Sequence, residues 1–229
     1  MIPVGGGPTD KDTLWALVYA QLESTDKKTG RRNFRHSYAY AFQGFYGSDG
    51  AVMIAWLANW VDWDHIVDFE TAMTLPRQVL LGADRKSILT PPVDQVVSLR
   101  DRVLDKMLFL RGQLISLPNG TAEIKLLIDP NYKGSIRLSL VHPTLKNPVP
   151  GVEISQQGLE IISGAVDKSK QQAIEVYADG GLTTGTARLL GNQKFTQMQL
   201  SGELAAITGA DVWSLKAAEM RGKYINPQS

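Results

Sequence analysis

Apolar and polar positions alternate with a period near two along most of the chain, the pattern of strands that bury one face. Leu14-Trp-Ala-Leu-Val-Tyr-Ala-Gln-Leu22 is rich in β-favouring residues and closes in the polar, turn-like Glu23-Ser-Thr-Asp-Lys-Lys-Thr-Gly30. Ser37 to Tyr46 alternates aromatic and small side chains, Gly47-Ser-Asp-Gly50 is a tight turn, and Ala51 to Trp60 returns as the next strand. Residues 37–60 thus predict a hairpin. A fourth strand is predicted from Ala72 to Leu81, with Pro76 marking a bulge or an edge because it has no N–H to donate. Together these strands predict one antiparallel sheet of the propeller-blade kind, and one blade cannot bury both of its faces alone.

Pro92-Val-Asp-Gln-Val-Val-Ser-Leu-Arg-Asp-Arg-Val-Leu104 places Val93, Val96, Val97, Leu99, Val103 and Leu104 close to helical spacing, and Pro91-Pro92 suits a helix entrance. It predicts a linker helix, which sets the expected organisation: a blade region over 1–90, the linker over 91–106 and a second unit over 107–229. Beyond residue 107 the chain becomes short strands between turn signals: Gly120 to Ile128, Ser135 to Val141, Gly158 to Ile162, Gln172 to Tyr177 and Phe195 to Leu200. Strands at this spacing predict a β-sandwich. No internal repeat or low-complexity tract appears, and the tail from Arg221 to Ser229 is expected to fray.

The 229 residues and their 43% hydrophobic content support a real core. Formal net charge is +1, and the longest basic cluster, Gly30-Arg-Arg-Asn-Phe-Arg35, is expected to be a solvated hairpin loop. Nucleic-acid binding is not expected, because it needs a sustained positive face. The absence of cysteine rules out disulfides, thiolate catalysis and zinc–cysteine sites, and leaves the redox compartment open. No stretch approaches the length of an apolar membrane span, and the first residues lack the pattern of a signal peptide. His36, His65 and His142 lack ligand spacing, so neither a metal site, nor a cofactor, nor histidine catalysis is expected. Asp62-Trp-Asp64 and Asp68-Phe-Glu70 are expected to be loop or rim acids rather than a catalytic pair.

Tyr40-Ala-Phe-Gln-Gly-Phe-Tyr-Gly-Ser-Asp-Gly-Ala-Val-Met-Ile-Ala-Trp-Leu-Ala-Asn-Trp60, followed by Met73-Thr-Leu-Pro-Arg77, resembles glycoside hydrolase family 32, the invertases, levanases, inulinases and fructosyltransferases. That family carries Tyr-Ala-x-Gln-x-Phe, a hairpin, Ile-Gly-Trp-x-x-x-Trp and Met-(Ser/Thr)-Leu-Pro-Arg in this order. The resemblance continues through Leu89-Thr-Pro-Pro-Val-Asp-Gln-Val-Val-Ser-Leu-Arg100 to Ile174-Glu-Val-Tyr-Ala-Asp-Gly-Gly181, similar to a strand of the family's C-terminal sandwich. The chain departs from the pattern at Ala55, where Gly is usual, at Ala178, where Asn is frequent, and at Tyr38, where Asp is common. The implied fold is all-β: the last blade of a five-bladed β-propeller, a linker helix and a β-sandwich.

The family's reaction uses a nucleophile and a general acid/base, two carboxylates about 5 Å apart for retention of configuration. A third carboxylate stabilises the transition state. The family holds these in Asn-Asp-Pro-Asn-Gly, Arg-Asp-Pro and Glu-Cys motifs of the first four blades, and this sequence has none of them in context. It begins where a family chain would already be past its acid/base glutamate. Asp129-Pro-Asn-Tyr-Lys-Gly134 contains Asp-Pro-Asn, but at the end of a sandwich strand it is expected to be a turn.

No catalytic residue is therefore expected here, and the chain alone should be inactive. The resemblance implies that Tyr40, Gln43, Trp56 and Trp60 contribute to a fructose pocket, with Asn59, Asp62 and Trp63 at its rim or in the groove between the two units. It also implies a larger partner subunit that carries the remaining blades and the catalytic Asp, Asp and Glu. The joint substrate would be sucrose or a fructan, and a periplasmic or extracellular location would be set through that partner. The alternative is a fructan-binding module or inactive remnant. Met1 is expected to be a natural start rather than the edge of a fragment.

Overall fold

A computed structural model describes residues 2–4, 11, 14–16, 24–25, 32–33, 39–47, 50–57, 72–142, 150–162, 171–190 and 195–216. Trp60, the acidic pairs within 62–70, His36, His65, most of the basic cluster and the tail from Arg221 lie outside them. None of the helices among the described residues is long and apolar enough to cross a membrane.

The architecture is all-β, a propeller-type sheet followed by a β-sandwich. Ile2–Val4 (β1) pairs with Leu14–Ala16 (β2), and Ser24–Thr25 (β3) with Arg32–Asn33 (β4), which puts part of the basic cluster on a hairpin arm. Ala39–Gly47 (β5) and Gly50–Leu57 (β6) form the predicted hairpin. Gly50 takes a φ of 94°, left-handed space that glycine enters without a side-chain clash. Ala72–Met73 (β7) and Arg77–Gln78 (β8) pair with successive stretches of β6, and Leu80–Leu81 (β9) pairs with Ile88–Leu89 (β10). The gap between β7 and β8 falls at Pro76, as its missing N–H requires. Thr74 bridges it: its N–H donates to the Ala55 carbonyl at 3.0 Å, and its Oγ1 accepts from the Ala55 N–H at 3.1 Å. Ala51, Met53, Val79 and Val4 form a small core on one side of this sheet.

The expected linker helix is corrected. Only Asp94–Leu99 is helical, as a 3-10 helix with no buried residue. Arg100–Val103 (β11) leaves it as a strand. Two physical reasons account for this: the β-branched valines suit extended backbone, and a sheet edge is there to be joined. Arg100 is fixed in the strand by Glu123, which its Nε reaches at 2.7 Å, and by the Trp213 ring 3.7 Å beneath its guanidinium. A true α-helix, Lys106–Leu110 (α1), follows one turn later, with Asp105 as its cap accepting from the N–H groups of Met107 and Leu108 at 2.9 and 3.1 Å.

The sandwich contains Ile115–Ser116 (β12), Ala122–Ile128 (β13), Ser135–Val141 (β14), Gly151–Ser155 (β15) and Gly158–Ile162 (β16). It continues with Gln171–Ala178 (β17), Thr183–Leu190 (β18), Gln197–Gly202 (β19) and Ile207–Leu215 (β20). One sheet runs β11-β20-β13 and the other β12-β19-β14-β15-β16. Phe109, Ile136, Met198, Leu200 and Val212 fill the space between them. Among the described residues β17 and β18 pair only with each other, as a hairpin that meets β16 where Gly185 lies against Ile161.

Candidate functional site

The hairpin β5–β6 carries three of the four expected pocket residues, and its register decides how they meet. Tyr40 lies opposite Trp56, Gln43 opposite Ile54, and Phe45 opposite Val52. Met73 of β7 continues the Tyr40–Trp56 row across the sheet. Facing residues of an antiparallel ladder share a face and alternate residues return to it, so Gln43, Phe45, Val52, Ile54, Trp56 and Met73 lie on one side. The opposite side holds Phe42, Ala51, Met53 and Ala55, packed on the chain's own core.

A bulge lies between the two pocket rows. Residues 41 and 42 of β5 stand against the single Ala55, and Ala41 takes φ 52°, a left-handed conformation unfavourable for alanine. Bulges of this sort re-aim neighbouring side chains and are over-represented beside active sites. Here two residues, 41 and 42, separate the Tyr40 and Gln43 positions, which the bulge sets opposite Trp56 and Ile54. Gln43 is exposed and Trp56 half-buried. A primary amide and an indole face suit a sugar, the one for hydroxyl hydrogen bonds and the other for the apolar C–H face. No carboxylate shares this side among the described residues, so the residues placed here can bind and orient but supply neither nucleophile nor proton donor. Trp60 lies outside the described residues.

Asp129 forms the turn expected of it. Its Oδ1 accepts from the Asn131 N–H at 2.8 Å and from the Asn131 side-chain amide at 3.1 Å, at an exposed end of the sandwich. Among the described residues no group of three or more His, Asp or Glu is arranged to hold a metal ion.

A second polar constellation was not legible as a site in the sequence. Arg77, only 2% exposed, reaches from β8 into one face of the β17–β18 hairpin. One of its terminal nitrogens donates to Glu175 Oε2 at 2.9 Å and to Thr186 Oγ1 at 2.8 Å, and the other to Thr184 Oγ1 at 3.4 Å. Glu175 also accepts from the Leu75 N–H at 2.7 Å and from the Tyr177 hydroxyl at 2.6 Å. The guanidinium carbon lies 5.0 Å from the centre of the Tyr177 ring and 6.0 Å from that of Phe42. Burial, and then the Glu175 charge, push the Tyr177 phenol above its usual range, so it stays a protonated donor. The sequence signal was the period-two spacing of Glu175 with Tyr177 and of Thr184 with Thr186, which puts four polar groups on one side of two strands.

No protein-family model matches the sequence, and no curated protein is found as a relative. Solved structures do share the fold. A glycoside hydrolase family 32 protein from Bifidobacterium adolescentis superposes with a TM-score of 0.55 at 18% identity, covering 80% of this chain and 32% of that one. A family 32 β-fructofuranosidase from Bombyx mori gives 0.52 at 15% identity, over 84% and 46%. Fructan 1-exohydrolase IIa from Cichorium intybus gives 0.51 at 15%, over 80% and 49%. The likeness is one of fold, and the chain spans less than half the length of each.

Proposed function

We propose, from the premise of a family 32-type fold, that this chain is the smaller subunit of a heteromeric β-fructofuranosidase or fructosyltransferase acting on sucrose or fructans. Its partner carries the remaining propeller blades and the catalytic Asp, Asp and Glu. The chain completes the fructose pocket with Tyr40, Gln43, Trp56 and Trp60, and its sandwich braces the propeller.

One observation carries the reading. The face of β5–β6–β7 that bears Gln43 and Trp56 also leaves Phe45 59% and Met73 51% exposed, and it contains binding groups without a carboxylate. An aromatic, apolar sheet face of this kind calls for a second sheet against it. A propeller supplies one from the neighbouring blade, and the proposed partner would provide it. In the assembled site the partner's two carboxylates would perform the displacement. Gln43 would hydrogen-bond fructosyl hydroxyls, Trp56 would wall the ring, and Tyr40 would hydrogen-bond near the acid/base glutamate.

The test is co-purification of this chain with a chain carrying the Asn-Asp-Pro-Asn-Gly, Arg-Asp-Pro and Glu-Cys motifs, followed by sucrose and levan assays. Trp56→Ala in the pair is expected to lower kcat/KM on the order of tenfold to a hundredfold while the subunits stay associated. Unchanged turnover would remove Trp56 from the pocket. Fructan binding by the chain alone, with no stable pair, would favour a binding module.

A further inference from the structure

The two stretches that carry the family resemblance, Met73 to Arg77 and Ile174 to Gly181, are about a hundred residues apart in sequence and meet in space through Arg77 and Glu175. We infer that this pair is a clasp, a positioning device that holds the β17–β18 hairpin on the propeller-type sheet so that sheet and sandwich keep one relative orientation. The inference is independent of the proposed substrate and partner.

The chemistry points to positioning rather than to simple adhesion. A buried ion pair loses hydration that its attraction only partly restores, so two apolar side chains would hold the same surfaces together at least as well. An arginine fork differs from them in being directional: its hydrogen bonds are satisfied at one angle and one register. The receptor for Arg77 is built across both hairpin strands, with Glu175 opposite Thr186 and Tyr177 opposite Thr184. A slip of one residue between those strands would put Glu175 and Tyr177 on the face opposite Thr184 and Thr186 and so split the receptor. The Nε of Arg77 is buried without a hydrogen-bond partner among the described residues, a cost consistent with a geometry chosen for the terminal nitrogens.

The clasp closes at a second point. Thr90 donates its N–H to the Gly181 carbonyl at 2.9 Å, at the hairpin's turn. Gly181 takes φ 92°, and a Cβ there would run into the Pro91 nitrogen and the Thr90 carbonyl carbon. Glycine permits both the turn and this contact. Leu75, whose N–H is freed from the ladder beside Pro76, donates it to Glu175 instead.

Hydrogen exchange on the full chain tests this, with Glu175→Gln as the variant. Gln keeps an acceptor for the Leu75 N–H but replaces the charged Oε2, which accepts from Arg77 and Tyr177, with an NH2 donor, so the fork on that side is lost. The reporter is the Thr90 amide, which donates to Gly181 and not to either clasp residue. Two controls bracket it: the Val79 amide, bonded to Ala51 inside the blade sheet, and the Leu104 amide, bonded to Val212 in the sandwich. The clasp predicts that Thr90 exchange accelerates on the order of a hundredfold or more while Val79 and Leu104 keep their rates. Unchanged Thr90 exchange overturns the inference. Equal acceleration at all three overturns it as well, since the pair would then contribute only general stability. Should Glu175→Gln not fold, Tyr177→Phe removes one donor to the same carboxylate and should accelerate Thr90 exchange on the order of tenfold, with the same two contrary outcomes.

Discussion

Met53 and Ile54 are neighbours on one strand, yet they belong to different surfaces. Met53 points into a core that the chain builds for itself, beside Ala51, Val79 and Phe42. Ile54 points to the side shared with Gln43, Phe45, Trp56 and Met73, where the described chain leaves large apolar groups half-buried or exposed. The two sides of a sheet normally differ as buried against polar. Among the described residues they differ as buried core against part-exposed apolar surface, a completed side against one that the proposed partner would complete.

The largest expected effect is at the far edge of the completed side. Arg77→Met leaves the mostly buried Glu175 without its cation and should cost about 3–5 kcal/mol in denaturant unfolding. A cost near zero would mean that the pair is solvated. The neighbouring residues on β6 come next. Met53→Ala should destabilise the isolated chain by about 2–5 kcal/mol, and Ile54→Ala by less than about 1.5 kcal/mol. Equal costs would erase the difference between the two sides. Ile54→Lys would sharpen it by leaving the chain folded while weakening its association with a partner.

Smaller effects follow. Ala41→Gly should be neutral or stabilising by up to about 1 kcal/mol, because relief of the left-handed backbone outweighs the added chain entropy. Clear destabilisation would show that Ala41 is not strained. In the turn before β10, the hydroxyl and N–H of Ser87 and the N–H of Lys86 hold the Asp84 carboxyl down to about 2 from its ordinary 3.8. A depressed carboxylate adds stability that is present above its unfolded value and is lost as pH falls toward 2. An NMR titration of Asp84, and its disappearance in Asp84→Asn, would check this.

Much of the fold was legible in the sequence because its elements carry their own local signals. The hairpin at 39–57 was marked by alternation and by Gly47-Ser-Asp-Gly50, the break at Pro76 by its missing donor, and the Asp129 turn by its side chain. The segment from Pro92 to Leu104 was misread because apolar residues at helical spacing carry no information about a distant edge strand. β20 then won Arg100–Val103 through non-local pairing. β18 and β20 were not predicted, since Gly185, Gly209 and interleaved polar residues dilute their alternation. The bulge that sets the Tyr40 and Gln43 positions opposite Trp56 and Ile54 was not legible, because Ala41 is an ordinary residue in an unusual conformation. The Arg77 receptor was hidden for a different reason: its halves lie in separate parts of the chain, each reading as an ordinary strand.

The most direct test is sucrose cleavage by three preparations: this chain, a chain carrying the three family 32 carboxylate motifs, and the two co-expressed and co-purified. Turnover by the pair alone, lost on mutation of the partner's carboxylates, is the predicted result. Turnover by this chain alone would contradict it, because a catalytic carboxylate pair would then have to reside among acids assigned here to loops and turns.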